Sequence, residues 1–270
     1  SLGYFTGHDI TTGANNTAIG YNALSTIQTV SDTTAVGAYA LDALTNSGQY
    51  NTALGYKAGS ACTDGTRNVF IGWEAGENAT TANRCTLIGQ NVAQGVLTGD
   101  DNVLIGREAG YEMTSGYNNN GVGNYALQDV TTGHSNTAFG FSAQQHTTTG
   151  YQNTAVGNLA LETCTTGEHN TAIGDNSLQG LTTGTTNTCL GHASGYGVTG
   201  GSNNTFIGMD AGRSSSPSGN ITTGSNNVVL GNNSIANLYC ADTSISSSDA
   251  RDKTDVEDFK YGLSWITELR

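Results

Sequence analysis

The sequence predicts an all-β fold: a repetitive parallel β-solenoid, or β-roll, with one coil per 17 residues. A nine-residue phrase recurs along the chain, for example as NTAIGYNAL at 16–24, NTALGYKAG at 51–59 and NVFIGWEAG at 68–76. The glycine inside the phrase returns every 17 residues, apart from one step of 18 and a last step of 23. The coil is rich in Gly, Asn and Thr and lacks the i, i+3, i+4 apolar stripe of a helix. A short fixed period of this kind is typical of stacked coils.

Each phrase opens with a short strand that ends at the phrase glycine. The residue before that glycine is apolar in every complete copy, and we expect it to be buried as the one large core side chain of its coil. Four residues before the glycine stands Asn in 11 of 13 copies. Stacked Asn side chains are expected to form a hydrogen-bonded ladder along the axis. The phrase glycines are Gly3, Gly20, Gly37, Gly55, Gly72, Gly89, Gly106, Gly123, Gly140, Gly157, Gly174, Gly191, Gly208 and Gly231.

Small residues complete the repeat. Three residues after the phrase glycine comes a small residue, usually Ala, which allows two backbones or two chains to approach closely. A second glycine stands seven residues before the phrase glycine in most copies, as at Gly65 and Gly116, where we expect a corner with positive φ. The longer last step contains SSSPSGN at 214–220 with the only proline, which predicts a surface loop.

The composition favours an oligomer and excludes several classes of partner. Leu, Ile, Val and Phe make up only 49 of 270 residues. One large apolar residue and a few alanines per coil form a thin core, which association of several chains would complete. The net charge of −13 argues against nucleic acid or an anionic membrane as partner. No apolar run is long enough for a membrane helix, so membrane insertion is not expected.

The sequence also predicts no cofactor and no metal ion. The five cysteines, Cys62, Cys85, Cys164, Cys189 and Cys240, are an odd number without a CxxC pair, so neither a disulfide framework nor a zinc site is indicated. The five histidines share no repeat position, and we expect them to face solvent. In a trimer, a histidine facing the axis would instead form a three-His site.

The quoted phrases resemble the head repeats of trimeric autotransporter adhesins and, equally, repeats found in phage tail fibres. The adhesin family implies a left-handed parallel β-roll with three chains side by side, and therefore a homotrimeric fibre. The repeat here is longer than in those adhesins, so the handedness stays open. The resemblance covers residues 1 to about 235.

The tail, SSSDARDKTDVEDFKYGLSWITELR at 246–270, resembles the opening of the intramolecular chaperone domain of phage endosialidase tailspikes, an autocleaving serine peptidase family. The family's motif matches Ser248, Asp249, Arg251 and Lys253, and a second matching run follows at 262–270. The resemblance implies self-cleavage between Ser247 and Ser248. Ser248 would act as nucleophile, Lys253 as base, and Asp249 and Arg251 would orient the segment.

The same tail predicts a short α-helical segment, because Val256, Phe259, Leu263 and Ile266 fall on one face of an amphipathic helix. Charged residues also become frequent here. The predicted domains are therefore a solenoid shaft at 1–235, a linker at 236–247 and the start of a chaperone and autoprotease domain at 248–270.

These features predict a structural and adhesive function. The leading hypothesis is the trimeric shaft of a bacteriophage tail fibre or tailspike, located in the virion tail after assembly in the host cytoplasm. Its expected partners are two identical chains, other virion tail proteins and a host cell-surface glycan or protein receptor. The alternative is a trimeric adhesin on a bacterial cell surface. Receptor contact is expected on the variable segments between phrases, and the only enzymatic activity expected is self-cleavage.

Two further hypotheses are weaker. Thr follows the Asn column at nine of 13 positions, which suggests an ice-binding solenoid, but there is no second Thr column. A glycosidase would need two carboxylates across a cleft, and we interpret the acidic residues as solvated surface charges. Aromatic residues just after the phrase glycine, such as Tyr21, Tyr56, Trp73 and Phe141, either stack on sugars or pack between chains, and we favour packing.

Overall fold

The computed structural model describes residues 2–27 and 29–237 and confirms the predicted parallel β-solenoid. Its thirteen strands have three residues each and form one sheet in which neighbours pair in chain order. Each coil therefore adds one parallel strand beside the last. The described residues contain no helix. The strands are β1 (Thr17–Ile19), β2 (Thr34–Val36), β3 (Thr52–Leu54), β4 (Val69–Ile71), β5 (Thr86–Ile88), β6 (Val103–Ile105), β7 (Asn120–Val122), β8 (Thr137–Phe139), β9 (Thr154–Val156), β10 (Thr171–Ile173), β11 (Thr188–Leu190), β12 (Thr205–Ile207) and β13 (Val228–Leu230).

The register places each repeat position directly over the same position of the next coil. Ala53, for example, pairs with Phe70, and Leu54 pairs with Ile71. The 23-residue step keeps the same register, because Thr205 pairs with Val228. The predicted loop at 214–220 absorbs the extra residues, and Pro217 in it is exposed. A repeat position therefore becomes a column along the solenoid.

The centre of each strand faces the interior. Side chains alternate between the two faces of a strand, so a three-residue strand buries its middle residue and turns its flanking residues outward. The prediction that the residue before the phrase glycine is buried was therefore wrong: Leu54 is 49% exposed and Leu190 is 47% exposed, whereas Ala53 and Cys189 are fully buried. The large core side chains come instead from some strand centres and from the turns that follow the phrase glycine, as at Leu24 and Ile27.

The predicted asparagine ladder is confirmed. The Oδ1 atom of Asn153 accepts the backbone N–H of Asn170 at 3.0 Å and its side-chain Nδ2 at 3.1 Å. The Nδ2 atom of Asn153 donates to the carbonyl of Gly167 at 2.8 Å and to Oδ1 of Asn136 at 3.2 Å. Because a buried amide without partners is costly, these bonds fix one Asn of each coil over the next.

The two glycine columns are needed for different reasons. The phrase glycines adopt positive φ, as at Gly55 (φ +144°), and a Cβ on Gly55 would lie 2.1 Å from the carbonyl oxygen of Gly72. The second glycine does not adopt the predicted positive φ. A Cβ on Gly116 would instead lie 2.5 Å from the carbonyl oxygen of Gly133 in the next coil. Close stacking of coils, and not the local turn, excludes a side chain there.

Two positions of each coil share the same interior space: the strand centre and the residue six positions later. The centre Ala35 is followed by Leu41, whereas Phe70 is followed by Gly76. A Cβ on Gly76 would lie 2.6 Å from Cδ1 of Phe70. A large residue at one position therefore excludes a large residue at the other, as expected in a closely packed interior. The small residue three positions after the phrase glycine, such as Ala40, is also fully buried.

The solenoid belongs to one compact unit, Ser1–Ser234. The predicted linker from 238 onward, the α-helical segment and the predicted chaperone domain at 248–270 lie outside the described residues. These assignments stay predictions.

Candidate functional site

The residues predicted for self-cleavage, Ser248, Asp249, Arg251 and Lys253, lie outside the described residues, as does the bond between Ser247 and Ser248. Three features on the surface of the described solenoid carry chemistry. They are the outward face of the sheet, an aromatic column near the N-terminal end and a set of paired histidines.

The outward face of the sheet carries two parallel columns. The column before the phrase glycine is aliphatic or aromatic, with Phe139 57% exposed and Ile207 42% exposed. The column two residues earlier is mostly Thr and faces the same way, as at Thr137 and Thr188. Soluble monomers seldom expose an apolar patch that continues over so many coils. We call these two columns the sheet face. Its apolar column is Ile19, Val36, Leu54, Ile71, Ile88, Ile105, Val122, Phe139, Val156, Ile173, Leu190, Ile207 and Leu230.

An aromatic column follows the phrase glycine in the first coils. The ring centroids of Tyr4 and Tyr21 are 5.8 Å apart with planes 7° apart, and those of Tyr56 and Trp73 are 6.4 Å apart with planes 17° apart. Tyr39 joins the two pairs through edge contacts of 5.3 Å to Tyr21 and 6.2 Å to Tyr56. We call these five residues the aromatic ribbon. Except for Tyr39, which is half-buried, its members are 40–66% exposed. The ribbon therefore does not pack into the interior of its own chain, and packing between chains stays a prediction.

A small cluster of charges borders the ribbon at its Trp73 end. The ammonium of Lys57 lies 2.7 Å from Oε1 of Glu77 and 3.9 Å from Oε1 of Glu74. The same ammonium lies 5.7 Å from the centroid of the Tyr56 ring. Partial burial raises the pKa of the Glu74 carboxyl, and the negative charge of Glu77 raises it further. The hydrogen bond to Glu77 raises the pKa of Lys57, so the cation is retained.

The histidines in the described residues pair with aromatic rings or carboxylates and not with one another. The ring of His134 stacks between Tyr117, at 4.7 Å, and Tyr151, at 4.9 Å. The Nδ1 atom of His146 lies 2.6 Å from Oδ2 of Asp129. All are exposed except His134, which is half-buried. No group of three metal-ligating side chains occurs within the described chain, and the three-His alternative concerns contacts between chains.

Four cysteines lie within the described residues, and all four are free and buried. Burial raises the pKa of the Cys62 and Cys164 thiols to about 12 and that of Cys85 to about 11. It also raises the pKa of Cys189. The thiolate is the reactive form of cysteine, so these residues serve as small core side chains. Cys240 lies outside the described residues.

Comparison with known proteins gives no relative. No protein-family model, no curated protein sequence and no solved structure matches the chain. In the part of the chain that the structure covers, no helix is long and apolar enough to cross a membrane.

Proposed function

We propose that this chain forms the shaft of a homotrimeric bacteriophage tail fibre or tailspike that supports or forms the host-receptor-binding tip. The single observation that carries the proposal is the sheet face. A flat apolar column repeated over thirteen coils, beside a Thr column in the same register, is suited to contact with identical columns on other copies.

Two copies of the sheet face would serve a dimer as well as a trimer, and the number three rests on the resemblance of the phrases to trimeric fibres and adhesins. In a three-chain arrangement, each sheet face points at the common axis, and the side chains before the phrase glycines form a shared core. This core supplies the burial that the small interior of one coil lacks. A bacterial trimeric surface adhesin uses the same shaft and remains the alternative.

Substitutions on the sheet face test the assembly. Leu190→Asp places a charge on the proposed contact, where burial of an unpaired carboxylate is unfavourable. Thr183→Asp adds the same charge at an exposed position of the preceding inter-phrase segment. On size-exclusion chromatography with light scattering, we expect Leu190→Asp to dissociate the assembly and Thr183→Asp to leave it intact. Equal masses for the two variants would contradict the proposed contact.

Self-cleavage is the second part of the proposal. The hydroxyl of Ser248 would attack the carbonyl carbon of Ser247, Lys253 would take the hydroxyl proton and return it to the leaving amine of Ser248, and water would hydrolyse the ester. Mass spectrometry of the chain with its full native C-terminal sequence tests the step. We expect a cut after Ser247 that is lost in Ser248→Ala and in Lys253→Ala. An uncut wild type, or cutting that persists in both variants, would contradict it.

Ice binding is the second candidate function, and a specific observation favours it. Nine threonines stand in register on the sheet face, as in the pairing of Thr137 with Thr154. If the sheet face is covered by other copies, no thermal hysteresis is expected. Measurable hysteresis of the purified chain would instead assign the sheet face to ice.

A further inference from the structure

The aromatic ribbon is not required by the fold. In later coils, the column that holds Tyr21, Tyr56 and Trp73 is filled mostly by polar residues such as Asn124 and Asn158, with Phe141 and Met209 as exceptions. Those coils keep the same strand pairing. A residue type that the coil does not need, concentrated in the first coils and left exposed, indicates a role outside the interior of the solenoid.

The ribbon is also distinct from the sheet face. The sheet face consists of residues before the phrase glycine in all thirteen coils, whereas the ribbon lies one or two residues after that glycine in consecutive coils only, from Tyr4 to Trp73. A contact along the whole sheet face therefore does not explain why aromatic residues occupy this column in five consecutive coils at this end.

The chemistry of the ribbon suits a carbohydrate chain. Sugar rings have apolar C–H faces that pack on aromatic rings and a rim of hydroxyl groups that form hydrogen bonds. The ribbon supplies about one ring per coil, and coils are ~4.8 Å apart, close to the length of one pyranose unit. Tyrosine hydroxyls donate and accept hydrogen bonds. Polar partners stand at both ends, with Lys57, Glu74 and Glu77 beside Trp73 and the exposed pair of His8 and Asp9 beside the first coil.

The charge of the chain selects among glycans. The net charge is −13, and Lys57 at the ribbon is already paired with Glu77. A polyanionic glycan would be repelled, whereas a neutral one would not.

We propose that the aromatic ribbon, formed by Tyr4, Tyr21, Tyr39, Tyr56 and Trp73, binds a neutral glycan chain along the solenoid axis. This site deepens the proposed fibre function by naming the class of receptor. It does not depend on trimer formation, so its test and the sheet-face test fail separately.

Binding is measured by isothermal titration with cellohexaose, chitohexaose and mannohexaose as neutral probes and a hyaluronan hexasaccharide as the anionic probe. The test variant combines Tyr21→Asn, Tyr56→Asn and Trp73→Asn, because Asn occupies the same column at Asn124 and Asn158. The matched control is Phe141→Asn, which removes the one exposed aromatic residue of this column outside the ribbon.

We expect at least one neutral hexasaccharide to bind, with affinity lowered more than about 100-fold in the triple variant and unchanged within about twofold in Phe141→Asn. An independent measurement leaves the ribbon unmutated. In a Trp265→Phe variant, Trp73 is the one remaining tryptophan, and its fluorescence should change when that hexasaccharide is added. The proposal is overturned if no neutral probe binds, if only hyaluronan binds, or if the triple variant binds as the wild type does. A lower assembled mass of the triple variant would assign the ribbon to contact between copies and would also overturn it.

Discussion

Replacing Phe70 by Ala, alone and with Gly76→Leu, probes the size matching inside the coil. Phe70 is fully buried, and its ring occupies the space next to Gly76, where coils with a small strand centre such as Ala35 have a Leu. Truncation to Ala leaves a cavity and should cost about 3–5 kcal/mol of stability. In a solenoid, this loss should appear as a lower guanidinium midpoint followed by circular dichroism.

Gly76→Leu alone should also destabilise. Its Cβ would lie 2.6 Å from Cδ1 of Phe70, and φ is +59°. Overpacking costs about 1–3 kcal/mol, and the left-handed conformation adds about 1 kcal/mol for a residue with a Cβ. The backbone itself accepts Leu at this position, because Leu41 has φ 49° and Leu127 has φ 56° in coils with a small strand centre.

The double variant places Ala and Leu six residues apart, as at Ala35 and Leu41. The Cβ at position 76 would still lie 2.9 Å from Cδ1 of Leu87, the flexible end of a side chain that has room to turn once the Phe70 ring is removed. If the two costs were independent, they would add to about 7 kcal/mol. We expect a favourable coupling of about 3 kcal/mol, so that the double variant is about as stable as Phe70→Ala. The matched control, Phe70→Ala with Gly110→Leu, places the same Leu two coils away and should be additive. Additivity of Phe70→Ala with Gly76→Leu within about 0.5 kcal/mol would refute the reasoning.

Three further predictions concern the asparagine ladder, the phrase glycines and the buried thiols. Asn153→Ala removes four hydrogen bonds from a buried site and should lower the free energy of unfolding in denaturant by about 2–4 kcal/mol. The control Asn158→Ala, at an exposed position, should change it by less than about 0.5 kcal/mol. Equal effects of the two variants would contradict the ladder. Gly140→Ala should prevent folding or lower the melting temperature strongly, since its Cβ would lie 2.3 Å from the carbonyl oxygen of Gly157 at φ +143°. In native protein at pH 8, the four described cysteines should not react with Ellman's reagent. Burial raises the pKa of each thiol above its ordinary value and keeps the thiol neutral. Rapid modification of more than one thiol per chain would contradict this.

The period of the sequence was sufficient to predict the fold. A 17-residue repeat with a strand-like phrase and a glycine at its end has few solutions other than stacked coils. The Asn column was predictable for the same reason, because an amide at a fixed position in every coil has its counterpart in the next coil as a partner.

The direction of the side chains was predictable and was nevertheless missed. The ladder residue Asn51 and the apolar residue Leu54 are three positions apart, so alternation along a strand puts them on opposite faces. Because the ladder residue Asn51 is buried, Leu54 must face outward. The apolar character of Leu54 was taken as a sign of burial in its own coil, but it is 49% exposed.

Other features needed the three-dimensional register. The last residue of the phrase is Leu where the strand centre is the small Ala18 and Gly where the strand centre is the large Phe70. This pattern is visible in the sequence, but the small strand centre Ala53 is followed by Gly59 and not by Leu. The exception is explained only in the structure, where a Cβ on Gly59 would lie 2.7 Å from Phe70 of the next coil. The ribbon likewise depends on contacts between coils, because Tyr39 is shifted by one position relative to Tyr21 and still joins the stack.

Sedimentation equilibrium of the intact chain tests most directly whether the sheet face lies between copies. If the sheet face lies between three copies, we expect one species with the mass of three 27.8 kDa chains over a range of concentrations. A stable species with the mass of a single chain would contradict it.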